Sequence, residues 1–178
     1  MLSRGDMIGA YAPWEFPLLA SLVAGFLVVI PTYDLPSVYL KLALLIYVGV
    51  IIGSFLLTIL LGVIFRPIVR LFSGGLGDEL VVNLSMMGAS IFTMVFAASP
   101  ALYLVYHVWL YSNITATLIS FLLLSLVSWL ALRSIGRAFM TAAVLTAIFI
   151  ALNYSLYSVL SLVHALYMHV LFRGGDPY

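Results

Sequence analysis

The sequence predicts an all-α polytopic membrane protein: a transmembrane helical bundle of five spans, with the N-terminus cytoplasmic and the C-terminus outside. Three observations predict it. Between Glu79 and Arg133 fifty-three residues pass without a charged side chain, and shorter charge-free runs cover 16–33, 42–65 and 138–172. At ~1.5 Å per residue, crossing a hydrocarbon core of about 30 Å takes about 20 apolar residues, so the longest run crosses twice and each of the others once. A composition of 65% hydrophobic and 7% charged residues would leave a soluble domain of 178 residues without a surface to show water. Finally, Arg4, Arg66, Arg70, Arg133 and Arg137 fall on one side of this layout and Lys41 and Arg173 on the other. That bias places the first group in the cytoplasm.

The whole chain, 1–178, reads as one integral membrane domain. The first span runs from about Trp14 to Tyr33. Arg4 precedes it as in a secretory signal, but the exit Ile30-Pro31-Thr32-Tyr33-Asp34 offers no small-residue cleavage site, so the helix is expected to be retained. Ser21 and Gly25 form a small pair within it. The second span covers about Val38 to Phe65 and carries a Gly-x-x-x-Gly at Gly49 and Gly53, which lets another backbone approach closely. Such small pairs serve packing inside the bundle or a seam against another subunit.

A cytoplasmic loop, 66–83, follows. Arg66 and Arg70 stand four apart, with Ile68, Val69 and Phe72 free to dip into lipid, and predict a short interfacial helix. Gly74 and Gly75 then permit a sharp reversal, and Asp78 and Glu79 can face the start of the next helix. A phosphate-cradling loop is disfavoured, because no Gly-Lys-Ser or Gly-Lys-Thr follows and two acids repel phosphate. The remaining spans are about Leu84 to Tyr111, Thr115 to Leu132 and Ala138 to Val170; Pro100 is an alternative place for the break in the longest run.

Several function classes are excluded. A net charge of +1 argues against a nucleic-acid partner, and the absence of cysteine removes disulfides and thiolate metal sites. Every acid (Asp6, Glu15, Asp34, Asp78, Glu79, Asp176) lies in a loop or tail, so no span supplies a carboxylate for a proton relay or general base, and no enzyme is expected. The three histidines, His107, His164 and His169, fall toward the outer side among an outer belt of tyrosines. His107 and His164 sit on the third and fifth spans, which run in the same direction, and are the residues that would hold haem b or line a quinone pocket. Depth favours plain interfacial histidines, because 20 residues from Ala138 use up the hydrocarbon by about Tyr157. Glutamine is absent and asparagine occurs only at 83, 113 and 153, a shortage of thermolabile side chains that points to a thermophilic, archaeal source.

The long second span is followed by a basic segment, the Gly74-Gly75 turn, a helix containing Phe96-Ala97-Ala98-Ser99-Pro100, and the turn Leu132-Arg133-Ser134-Ile135-Gly136-Arg137-Ala138. Over roughly residues 38–150 this order resembles the prokaryotic branch of the Yip family. Phe96 stands where that family's short motif after the glycines has tyrosine. The resemblance implies five spans, a cytoplasmic N-terminus and a non-catalytic membrane protein, structural or adaptor in role. Its expected partners are the lipid bilayer and other membrane subunits or further copies of itself, in the plasma membrane of a prokaryote. The alternative is an accessory subunit of a respiratory or transport complex that contacts haem, quinone or lipid near the outer face.

Overall fold

The computed structural model describes residues 12–29, 40–99, 102 and 106–173, with side chains over 12–27, 44–99, 102, 106–108, 110–155, 158 and 162. Among them all regular structure is helical, in five helices: α1 (Glu15–Val29), α2 (Leu40–Phe72), α3 (Asp78–Ala97), α4 (Trp109–Leu132) and α5 (Ile135–Arg173). Four are long and apolar enough to cross a membrane, over Leu44–Phe72, Asp78–Ala97, Leu110–Leu132 and Ile135–Ser155. The chain is an integral membrane protein by that measure. The described part of α1 is apolar but only 15 residues long.

α1 starts on a local device. The backbone N–H of Ala12 donates to Glu15 Oε2 at 3.2 Å while Glu15 N–H donates to the Ala12 carbonyl at 3.0 Å, and Pro13 sits between them, where a missing N–H costs nothing. Glu15 is thus the helix's own cap.

α2 is a single helix of 33 residues, about 50 Å long. The separate interfacial helix expected at 66–72 does not form; the segment is the last two turns of α2, with Pro67 inside it. The reason lies in the register of the buried stripe. Thr58, Leu61, Phe65 and Val69 are all buried at helical spacing, so the stripe runs through the arginines without a break, and Arg66, Pro67 and Arg70 stay exposed. Pro67 forfeits one hydrogen bond, on a face away from that stripe. Ser73 then closes the helix by donating its hydroxyl to the Arg70 carbonyl at 2.7 Å, and Gly74 (φ +61) and Gly75 (φ +95) turn the chain.

α3 is the hub. It packs against α1, α2 and α4, and 56% of its apolar window is buried compared with 22% in α2. Helix-on-helix burial therefore falls on a span rich in small and polar residues: Asn83, Ser85, Gly88, Ser90 and Thr93 are buried there. The exposed surface of α2 carries Leu45, Ile52, Leu56, Leu60 and Val63 instead. That is the order lipid imposes, because apolar tails solvate leucine as well as a protein core does. α3 begins at Asp78, earlier than the expected Leu84, since Asp78 and Glu79 in its first turn complement the helix dipole. It ends at Ala97, and α4 starts at Trp109, so the longest charge-free run is broken in the stretch containing Pro100 and not at 111–115.

Aromatic and hydroxyl contacts lock the helices together. Phe65 on α2 and Phe92 on α3 meet edge to face at 5.8 Å, and Phe121 on α4 meets Phe139 on α5 at 5.3 Å. Gly88 of α3 faces Leu124 of α4, Leu145 of α5 and Phe65 of α2. Most buried hydroxyls are satisfied inside their own helix: Ser85, Ser90, Ser112 and Thr141 each donate to the carbonyl four residues earlier. Thr58 and Thr93 add a hydrogen bond between α2 and α3, Oγ1 to Oγ1 at 2.7 Å, in the buried interior. Thr58→Val and Thr93→Val are expected to cost about 0.5–1.5 kcal/mol each and to couple in a double-mutant cycle read by melting in detergent. Fully additive losses would mean that the two hydroxyls do not share the bond.

The chain divides into two compact units, Met1–Leu145 and Thr146–Tyr178. In the first, Ala138, Thr141, Ala142 and Leu145 form the buried stripe of α5. In the second, Ser155 and Ser158 donate to the carbonyls of Ala151 and Tyr154, which keeps their hydroxyls satisfied within the helix.

Candidate functional site

Two small-residue pairs that look alike in the sequence have opposite surroundings. Ser21 is fully buried and donates its hydroxyl to the Leu18 carbonyl at 2.8 Å. Gly25, one turn on, leaves so little room that a Cβ there would lie 2.6 Å from Ile51 Cγ1 and 3.0 Å from the Tyr47 ring. Gly25 is thus a point of close approach of α1 to α2. Gly49 and Gly53 are not in such a contact: a Cβ at either would meet nothing within 4 Å. Packing inside the bundle, one of the two uses expected for that pair, does not occur among the described residues. On a helix of 3.6 residues per turn Gly49 lies roughly opposite the centre of the Thr58–Leu61–Phe65–Val69 stripe. With exposed Leu56 and Leu60 on the same side, the two glycines form a notch in an otherwise bulky apolar wall.

The opposite end of α2 carries the charge. Arg70 pairs with Asp78 at 3.3 Å, both side chains more than half exposed, which ties the end of α2 to the first turn of α3 across the glycine turn. Screening by solvent makes such a pair worth little on its own. Glu79 and Arg66 are exposed beside it. Across the turn, the guanidinium of Arg137, from the first turn of α5, occupies the space where a Cβ on Gly74 would stand. Gly74 is therefore required twice, for its positive φ and for its bareness. The contact brings the α4–α5 turn, with Arg133 as the left-handed C-cap of α4 (φ +53), to the α2–α3 turn. Arg66, Arg70, Arg133 and Arg137 consequently share one end of the bundle.

Toward the other end, His107 is exposed at φ +53 in the connection before α4, with Tyr106 exposed beside it. The side chains of His164 and His169 lie outside the described residues. The pair needed by a haem or quinone site thus contributes one described side chain. No group of three or more histidines or acids placed to hold a metal occurs among the described residues.

Three working contacts carried no sequence signal strong enough to single them out. The Glu15 cap is hidden because an acid before an apolar run reads as a loop residue. Arg137 on Gly74 joins positions sixty-three apart, and the Thr58–Thr93 bond joins two spans. Comparison with family models, with curated proteins and with solved structures returned no match.

Proposed function

We propose that the chain is a non-catalytic integral membrane protein with a structural or adaptor role, which assembles with other membrane helices through the Gly49–Gly53 notch of α2. One observation carries this reading: the glycines face away from the bundle with open space over both Cβ positions. In lipid, two helices associate where small residues let their backbones touch, because apolar side chains gain nothing by leaving the tails. Exposed glycine in mid-helix also costs about 1 kcal/mol relative to alanine, so its presence on a face that packs nothing within the chain asks for a use outside it. The arginine-rich end is on the cytoplasmic side in this reading, following the positive-inside bias. The Yip-like order of segments supports the same non-catalytic class, and the charged side chains described in helices lie in the first turn or the last two turns, apart from the buried polar groups of α3.

Gly49→Ile and Gly53→Ile test the notch. Size measured in a gentle detergent should fall from that of an assembly to that of a single chain, while the melting temperature stays the same or rises. The chain has no cysteine, so Gly49→Cys provides a single cross-linking site without further changes. A parent that runs as a single chain and gives no cross-link overturns the proposal, as does an isoleucine variant that melts early with its size unchanged.

A further inference from the structure

The four arginines at one end of the bundle are unequally engaged. Among the described residues only Arg70 has a carboxylate within ion-pair distance, Asp78; Arg66, Arg133 and Arg137 are exposed and have none. Four positive charges against Asp78 and Glu79 leave an excess of two at this end. Large apolar side chains stand among them: Leu71 is 81% exposed next to Arg70, and Ile135 is 75% exposed between Arg133 and Arg137. In water, such exposure forfeits the gain from burying each chain; at the interface of a bilayer the same side chains rest among headgroups and the first acyl carbons. The depth agrees. The charge-free part of α2 from Leu44 to Phe65 is about 33 Å long, enough for the hydrocarbon core, which puts Arg66 at its boundary and Arg70 about 6 Å further out.

We infer that this end of the bundle is a binding surface for the phosphate groups of anionic phospholipids, held by Arg66, Arg133 and Arg137. A guanidinium offers a planar fork of donors that matches phosphate oxygens, and at the headgroup layer it meets them without leaving the protein's own position. Leu71 and Ile135 would rest in the interfacial layer beside the same lipids. Asp78 acts as a brake in this arrangement, since it holds Arg70 and adds a negative charge among the phosphates. The surface lies some thirteen residues along α2 from Gly53, about 20 Å, and does not rest on assembly at the glycine notch.

The test is retention of phosphatidylglycerol from a defined bilayer. The full chain is placed in phosphatidylcholine vesicles containing a minor fraction of phosphatidylglycerol, re-extracted gently, and its bound lipid counted by mass spectrometry. Phosphatidylglycerol should be enriched over its share of the vesicle. Arg66→Gln and Arg133→Gln should each lower that enrichment about fivefold, the effect of one basic residue at an anionic surface, and Arg70→Gln should lower it less. Arg133→Lys should restore most of it, which separates charge from folding. Asp78→Asn should raise it. Inorganic phosphate at millimolar concentration should leave it unchanged. The inference is overturned by enrichment that survives in the Arg66→Gln/Arg133→Gln double variant, or by a fall in Asp78→Asn. It is equally overturned by displacement with inorganic phosphate, or by an acidic protein in place of the lipid.

Discussion

Gly88→Leu should abolish the native packing of the bundle, with an expected loss of about 3 kcal/mol or more and a large drop in melting temperature in detergent. Overfilling a packed core costs about 1–3 kcal/mol for extra methylenes that neighbours can partly absorb. Here there is little to absorb them. A single Cβ on Gly88 would already lie 3.2 Å from Leu124 Cδ1 and 3.8 Å from both Leu145 and Phe65, which belong to three different helices. Phe65 cannot yield easily, because it is fully buried against Phe92. The rest of a leucine side chain must therefore part α2, α4 or α5 from the hub. Gly88→Ala is the control: Leu124 needs to give by only a few tenths of an ångström, and the helix gains about 0.5–1 kcal/mol from losing a mid-helix glycine. It should melt close to the parent. A leucine variant that also melts close to the parent would show that these four helices do not meet at Gly88.

How much of this was legible in the sequence depends on what lipid hides. The spans announce themselves because a charge in hydrocarbon is costly, so the gaps between charged residues measure the membrane. Which face of each span is inside does not announce itself. In a soluble helix the outer face is polar and the period of 3.6 reveals the core, but in α2 the outward Leu56 and Leu60 are as apolar as the inward Leu61 and Phe65. Small residues are the signal that remains, and it is ambiguous: Gly25 meets α2 closely, while Gly49 and Gly53 meet nothing among the described residues. The same blindness produced the interfacial helix at 66–72. Two arginines four apart with apolar neighbours read as a helix lying in the headgroups, and only the burial of Phe65 and Val69 shows that α2 carries on upright through them.

The break in the longest apolar run has a related cause. Asn113 and Thr115 look like helix-starting residues, but the backbone at Val108 is already extended and Ser112 donates to the Val108 carbonyl, so α4 begins before either. α3 for its part ends at Ala97, so the break falls before Trp109. Of the candidate site, the arginine-bearing loop and its glycines were readable as charge and backbone freedom. Their convergence with the α4–α5 turn was not, because Arg137 reaches Gly74 through the antiparallel arrangement of four helices and not through any local pattern.

That convergence makes the second large effect. Gly74→Val should destabilise the protein by about 2–3 kcal/mol, as the sum of two separable causes. Left-handed backbone costs a residue with a Cβ about 1–2 kcal/mol, and a β-branched side chain at φ +61 is worse placed than alanine. The new side chain also enters the space held by the Arg137 guanidinium, which must leave the turn. The two causes come apart in a cycle with Arg137→Ala. At Gly75, where φ is +95 and a Cβ would meet nothing within 4 Å, an alanine carries the backbone cost alone, and removing Arg137 should not change it. At Gly74 the cost of alanine should fall once Arg137 is gone, because the collision disappears while the strain stays. Coupling at 74 and none at 75, read from melting temperatures of the two cycles, is the expected result. Equal behaviour at both glycines would mean that Arg137 does not lie over the turn, and the four arginines would then lose the contact that gathers them at one end of the bundle.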